Sequence, residues 1–179
     1  MRQLQVRDEA AGLDVLVNNA GEQHPQARLE DISEEQWEKT FRTNIFGMFQ
    51  LTKAALPLMG KGGAIINTTS ITAYKGNPQL IDYSSTKGAI TSFTRSLSMN
   101  LVNRGIRVNA VCPAVIDTDM FRRAYEADPR KAEFAAAMHP LGRVGRVEEI
   151  AAAVLYLCSD NAGFTTGIAL PVDGGATAI

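Results

Sequence analysis

Cysteine, tryptophan and long apolar runs are all scarce in this sequence of 179 residues. The two cysteines, Cys112 and Cys158, are too few for a disulfide framework and both follow apolar runs, so we expect buried thiols in a cytoplasmic protein. No stretch approaches the roughly 20 apolar residues of a membrane helix, and the first ten residues do not resemble a secretory leader. A net charge of −1 offers no electrostatic attraction to nucleic acid. We therefore expect neither a membrane nor a nucleic acid as partner.

Metal-binding patterns are also missing. His24 and His139 each precede a proline, and neither has an Asp, Glu or Cys at ligand spacing. The sequence predicts no metal site.

Short apolar runs alternate with stretches of helical periodicity. The predicted strands are 13–17, 64–69, 106–111 and 168–172, and the predicted helices are 33–59, 82–103 and 147–159, with short helices within 117–146. This alternation predicts an α/β fold, a three-layer α/β/α Rossmann-like parallel sheet in one domain over residues 1–179. Ser33 and Gln36 have the spacing of a capping box at the start of the first helix, and Pro57 should kink or end that helix. Gly105 is placed to cap the second helix.

Unusual residues are concentrated where three predicted strands end, at 18–21, 68–70 and 113–118. Parallel sheets bind ligands at the carboxyl ends of their strands. We therefore expect the functional site at these three segments.

Tyr83 and Lys87 lie four residues apart on a predicted helix and so share one face. A nearby cation favours the phenolate, so Tyr83 could act as a general acid or base on an alcohol or carbonyl. Ser70 ends the preceding strand and could polarise the carbonyl. Taken singly, each feature also has an ordinary explanation, because Tyr-x-x-x-Lys is common on exposed helices and serine is common in turns.

The order of the motifs is more specific than any one of them. Asn18-Asn-Ala-Gly21 follows the first strand, Asn44 lies in the first helix, Ser70 stands thirteen residues before Tyr83, and a Pro-Ala-Val-Ile-Asp-Thr segment follows the third strand. This set, in this order, resembles the short-chain dehydrogenase/reductase family over essentially the whole chain. The segments 22–25 and 70–74 are similar to glucose/ribitol-dehydrogenase-like members.

The resemblance implies a catalytic role for four residues. Tyr83 matches the proton donor and acceptor, and Lys87 matches the residue that lowers the tyrosine pKa and holds the nicotinamide ribose. Ser70 matches the group that orients the substrate oxygen. Asn44 matches the residue that anchors a water in a proton relay. The implied activity is an NAD(P)-dependent oxidoreductase that interconverts a small-molecule secondary alcohol and a carbonyl.

The resemblance also implies a cofactor, NAD or NADP, and a set of residues that bind it. Those residues are Asn18, Ala20, Gly21, Tyr83, Lys87, Pro113, Ile116 and Thr118. The predicted helices 33–59 and 82–103 are similar to the pair through which the family assembles, which implies a homo-oligomer, a tetramer or a dimer.

Two departures from the family pattern stand out. The family's strand, glycine-rich loop and helix that seat the pyrophosphate have no counterpart, because Gly60-Lys-Gly-Gly63 precedes a strand instead of a helix. Residues 1–11 resemble the end of the helix before the family's fourth strand. We therefore expect an N-terminally truncated domain whose strand at 13–17 is a sheet edge and which binds NAD(P) weakly on its own. The second departure is mild, since Ala114 stands where the family has glycine.

Two other functions remain open at this point. One is a non-catalytic remnant or oligomerisation module, and the other is a non-redox reaction such as isomerisation that uses Tyr83 and Lys87. The residue that selects NAD or NADP follows a strand that has no counterpart here, so the sequence does not choose between them.

Overall fold

The computed structural model describes residues 12–126 and 130–178. Within these ranges one parallel sheet has the strand order β1-β2-β3-β4. The strands are β1 (Val15–Asn18), β2 (Ala64–Thr68), β3 (Arg107–Pro113) and β4 (Ala169–Val172). The α-helices are α1 (Glu34–Phe41), α2 (Gly47–Ala55), α3 (Thr72–Lys75), α4 (Ile81–Leu101), α5 (Asp119–Glu126), α6 (Arg130–Ala137) and α7 (Val147–Cys158). The predicted α/β Rossmann-like sheet is confirmed, and the expectation for residues 1–11 lies outside the described residues.

The core lies on both faces of the central strands. Because side chains alternate along a strand, Ile65 and Ile66 of β2 point to opposite faces, and both are fully buried. Ile65 belongs to an apolar cluster with Ala55 at the end of α2 and Leu101 at the end of α4. Ile66 packs in a second cluster with Leu157 of α7. The sheet is therefore covered by helices on each side, which gives the predicted three layers.

Strand β1 is an edge of the described sheet. It pairs with β2 from Val15↔Ala64 to Asn18↔Asn67. Val15 and Val17 are 37% and 42% exposed, whereas Leu16 is buried. The sequence predicted this edge, and the apolar side chains on it are those of a strand that is usually covered on both faces.

The predicted helix 33–59 is confirmed in its extent, because helical turns follow one another without a break from Glu34 to Leu58, but its α-helical register is interrupted. Between α1 and α2, residues Arg42–Phe46 form a π-helical turn, and Leu56–Leu58 close the segment as a 3₁₀ turn that contains Pro57. A π-turn inserts one residue into the α-helical register, and such turns are frequent at functional sites. Asn44 lies in the middle of it.

The predicted capping box at Ser33 forms only in part. The Ser33 hydroxyl accepts a hydrogen bond from the backbone N–H of Gln36 at 3.1 Å. The Gln36 side-chain oxygen does not return the bond to Ser33, since it accepts from Gln26 Nε2 at 2.7 Å.

The predicted cap at the C-terminal end of α4 is confirmed, because Gly105 has a φ of 66° in the left-handed region after the short turn that extends α4. None of the helices in residues 12–126 and 130–178 has both the length and the apolarity needed to cross a membrane.

Candidate active site

The four predicted catalytic residues come together where β1 and β2 end and α4 begins. Tyr83 and Lys87 share one face of α4, and Lys87 Nζ lies 5.2 Å from the centroid of the Tyr83 ring. The side chain of Ser70, which follows β2, lies near enough to the Tyr83 hydroxyl to lower the pKa of that tyrosine. Ser70 Oγ also lies 3.2 Å from the backbone nitrogen of Thr72 and accepts its proton, which fixes the serine at the start of α3.

The ammonium of Lys87 is nearly buried, with 3% of the residue exposed. Lys87 Nζ donates to the carbonyl oxygen of Thr68, at the end of β2, at 2.8 Å. Burial lowers the pKa of Lys87 to about 8, because desolvation penalises the charged form. Lys87 therefore still carries its proton near neutral pH and loses it in mildly alkaline solution.

The pKa of Tyr83 is raised above that of a free tyrosine. Burial is the largest cause, the Ser70 side chain opposes it, and Cys112 adds to it. The sequence predicted a lowered pKa from the neighbouring cation, so that prediction is wrong for the chain alone. The prediction took account of the charge of Lys87 but not of the desolvation of the phenol, which depends on how the folded chain packs around Tyr83.

Asn44 fastens the segment after β1 to the helices. Its Oδ1 accepts from the backbone N–H of Glu22 at 2.8 Å, and its Nδ2 donates to the Glu22 carbonyl at 3.0 Å and to Thr86 Oγ1 at 3.1 Å. The residue is 1% exposed. The sequence identified Asn44 but missed Glu22 and Thr86, of which only Thr86 carries a local signal, its place between Tyr83 and Lys87.

Gly21 borders the cluster and leaves room beside it. A Cβ atom on this glycine would lie 3.4 Å from Asn44 Oδ1 and 3.6 Å from Lys87 Nζ. Asn18 is mostly buried and donates to Thr52 Oγ1 and Asn67 Oδ1, at 3.0 and 2.9 Å, so it ties β1 to α2 and β2. Ala20 is exposed and lines, with Asn18, an open groove of about 1140 Å³ beside β1.

The segment after β3 is placed by different contacts. Ile116 forms a parallel bridge with Gly145, and Thr118 Oγ1 accepts from the backbone N–H of Phe121 at the start of α5. A second groove of about 460 Å³ is lined by residues 114–116, among others. The Pro113 carbonyl accepts from the N–H of Ile71, which links this segment to the residue after Ser70. The cofactor-binding role predicted for Pro113, Ile116 and Thr118 stays a prediction.

Cys112 is a neighbour that the sequence did not indicate. The residue is fully buried in β3, and burial raises the pKa of its thiol to about 12. At neutral pH the thiol is therefore protonated, and we assign it no chemical role. Among the described residues, no group of three or more His, Cys, Asp or Glu side chains is placed to bind a metal ion.

Comparisons with known proteins agree with this arrangement. A family model described as enoyl-(acyl carrier protein) reductase matches residues 4–177. The chain is 53% identical over 171 residues to the uncharacterized oxidoreductase YhdF of Bacillus subtilis, and the match covers 96% of this chain and 58% of YhdF. It is 45% identical over 172 residues to glucose and ribitol dehydrogenase of Daucus carota, covering 96% of this chain and 58% of that protein. The solved structure of ElxO with bound NADP matches with a TM-score of 0.90 and 32% identity, over 96% of this chain and 70% of that one. The chain thus spans less than three-fifths of the length of these two curated relatives.

Proposed function

Because the chain belongs to the short-chain dehydrogenase/reductase family, we propose that it forms the catalytic part of an NAD(P)-dependent oxidoreductase acting on alcohols and carbonyls. The observation that carries the proposal is the placement of the half-buried Tyr83 beside Ser70, with the Lys87 ammonium over the tyrosine ring. This is a proton donor, an orienting hydroxyl and a cation at one point in the fold.

The residues around Lys87 fit a dinucleotide's nicotinamide end. Gly21 has no side chain where a Cβ would approach both Asn44 and Lys87, so a ligand can reach the ammonium from that side. Lys87 and the 18–21 turn would hold the ribose, with Pro113, Ile116 and Thr118 on the other side. When bound, the nicotinamide supplies or accepts the hydride.

The proton chemistry belongs to the chain's own residues. Since burial raises the pKa of Tyr83, its hydroxyl is protonated at neutral pH and can donate that proton to a substrate carbonyl oxygen. Ser70, whose side chain acts on the same hydroxyl, orients the substrate oxygen against it. The Lys87 ammonium, below its pKa of about 8, stabilises the negative charge left on the phenolate. These states favour carbonyl reduction near neutral pH.

The relatives suggest where to look for a substrate. This chain is 45% identical to the glucose and ribitol dehydrogenase of Daucus carota. It is 44% identical to an NADPH-dependent aldehyde reductase of Arabidopsis thaliana. We therefore propose small aldehydes and sugars as the first substrates to test, with NADPH and NADH compared as cofactors.

The proposal is tested by NADPH oxidation at millimolar cofactor with such a panel. Tyr83→Phe removes the transferable proton and should lower kcat by about a hundredfold or more. Tyr156→Phe, at an exposed tyrosine of α7, is the matched control and should keep the wild-type rate. Equal rates for Tyr83→Phe and the wild-type chain would refute the role of the phenol.

We further propose that the protein assembles as a homo-oligomer in the cytoplasm. Phe46, Phe49 and Met99 are 56%, 47% and 72% exposed on the helices that the sequence marked for assembly. Both cysteines are free thiols, as the cytoplasm would keep them. Sedimentation should give a dimer or tetramer that Phe49→Glu dissociates, and a monomer for the wild-type chain would contradict the proposal.

A further inference from the structure

A buried carboxylate immediately precedes the proposed catalytic tyrosine. Asp82 is 0% exposed. Its Oδ2 lies 2.8 Å from Thr40 Oγ1 and 3.0 Å from Gln36 Nε2, and its Oδ1 accepts from the backbone N–H of Tyr83 at 2.8 Å. A carboxylate is costly to bury, and three donors aimed at its two oxygens stabilise it.

Asp82 also takes the place of a cap on α4. Leu80, the residue before the helix, forms no side-chain capping bond, so the first backbone N–H groups need another acceptor. Asp82 accepts one of these protons from Tyr83 itself, and its negative charge is favoured in the first turn of a helix. The backbone of Tyr83 is thus held directly by the Asp82 side chain.

Gln36 extends this contact to the segment after β1. Its Nε2 donates to the His24 carbonyl at 3.0 Å as well as to Asp82, and its Oε1 accepts from Gln26 Nε2. The segment 22–26 is therefore tied to α1 and α4 by Gln36, in addition to the bonds that Asn44 makes to Glu22. Three separate parts of the chain are fixed to one another by this network.

We propose that Asp82 is a positioning residue for the reaction, an inference that rests on the proposed function. Ser70 is held by α3 and β2, whereas Tyr83 is carried by the first turn of α4. Their alignment depends on where that turn lies, and Asp82 fixes the turn to Thr40 and Gln36 of α1. Asp82 acts through the backbone of Tyr83, because its Oδ1 accepts a hydrogen bond from the Tyr83 N–H.

Asp82→Asn tests the inference because it keeps the side chain's shape. The new amide nitrogen faces either the donors on α1 or the Tyr83 N–H, so at least one hydrogen bond is replaced by two opposed donors. We expect kcat for carbonyl reduction to fall roughly tenfold to a hundredfold, with the KM of the carbonyl substrate nearly unchanged, because a misplaced group mainly affects the transition state. Hydrogen exchange at the Tyr83 amide should become at least about tenfold faster. Asp160→Asn, at an exposed aspartate in a helical first turn, should change neither quantity.

A paired substitution separates positioning from general destabilisation. Combining Gln36→Glu with Asp82→Asn reverses donor and acceptor, so that the amide introduced at position 82 can donate to the new carboxylate at position 36. The double variant still lacks the bond to the His24 carbonyl, so it should recover part of the lost kcat. Gln36→Glu alone places a second carboxylate beside Asp82, and its kcat should therefore be lower than that of the wild-type chain. If Asp82→Asn does not fold, Thr40→Val can be used instead, because it removes one donor to Asp82 and keeps the shape of the side chain. We then expect a smaller fall in kcat, again with the KM of the carbonyl substrate nearly unchanged.

The outcomes distinguish this inference from the proposed function. Unchanged kcat in folded Asp82→Asn, or an unchanged Tyr83 exchange rate, would overturn the positioning role. Faster exchange with unchanged kcat would make Asp82 a purely structural residue and would also overturn it. Absence of turnover in the wild-type chain would refute the proposed function, and the exchange rate of the Tyr83 amide would then decide alone whether Asp82 holds the tyrosine.

Discussion

Asn44→Ala is the substitution whose effect on stability follows most directly from the geometry. Asn44 is 1% exposed and makes three hydrogen bonds, two to the backbone of Glu22 and one to Thr86. An alanine leaves the Glu22 N–H and C=O groups and the Thr86 hydroxyl without these partners. Each lost bond costs about 1 kcal/mol net, and a group left buried without a partner costs more.

Glu22 is half-buried, so water can replace part of what its backbone loses. We therefore expect the free energy of unfolding to fall by about 2–3 kcal/mol, which corresponds to roughly 4–12 °C in Tm for a chain of this length. Urea unfolding followed by circular dichroism measures the change at constant m-value.

The matched control is Asn100→Ala, at an exposed position of α4. It should be neutral or slightly stabilising, because alanine has the higher helix propensity. A loss below about 1 kcal/mol for Asn44→Ala, or a loss equal to that of the control, would show that the bonds of Asn44 to Glu22 and Thr86 do not stabilise the fold.

Three further predictions concern the cofactor, the pH dependence and the α7 terminus. Gly21→Ala places a methyl 3.4 Å from Asn44 Oδ1 and 3.6 Å from Lys87 Nζ. The affinity for NADPH, measured by calorimetry, should therefore fall about fivefold or more while Tm changes little. An unchanged affinity would contradict the proposal that the cofactor lies beside Gly21. The pKa of Lys87 is lowered to about 8, so its ammonium is present below that pH and lost above it. The kcat for carbonyl reduction should therefore be constant below about pH 8 and decline above it. A kcat that stays constant to higher pH would contradict this role of Lys87. Arg107 donates to the carbonyls of Leu157, Cys158 and Ser159 at the end of α7, so Arg107→Met should reduce the free energy of unfolding in urea by about 1–3 kcal/mol, and a neutral effect would contradict it.

The sequence predicted those parts of the fold that depend on local pattern. The alternation of apolar runs and helices located the four strands, and the four-residue spacing placed Tyr83 and Lys87 on one helix face. The π-turn around Asn44 was not predictable in this way, because helical periodicity continues on both sides of it.

Properties that depend on distant neighbours were missed or wrong. The bond between Gln36 and Asp82 spans 46 positions, and the sequence instead assigned Gln36 to a local capping box. The direction of the Tyr83 pKa was wrong for a similar reason, since spacing reveals the neighbouring cation but not the burial that outweighs it. The hydrogen bond between Asn44 and Thr86 likewise joins two helices that are 42 positions apart in the sequence.

We propose that this site couples proton donation by Tyr83 to hydride transfer. The most direct measurement uses NADPH deuterated at C4 of the nicotinamide, an aldehyde or sugar that the wild-type chain consumes, and mass spectrometry of the product. We expect one deuterium on the new alcohol carbon in the wild-type product and a product yield reduced by about a hundredfold or more in Tyr83→Phe. An isomerised, unlabelled product with NADPH unchanged would contradict it.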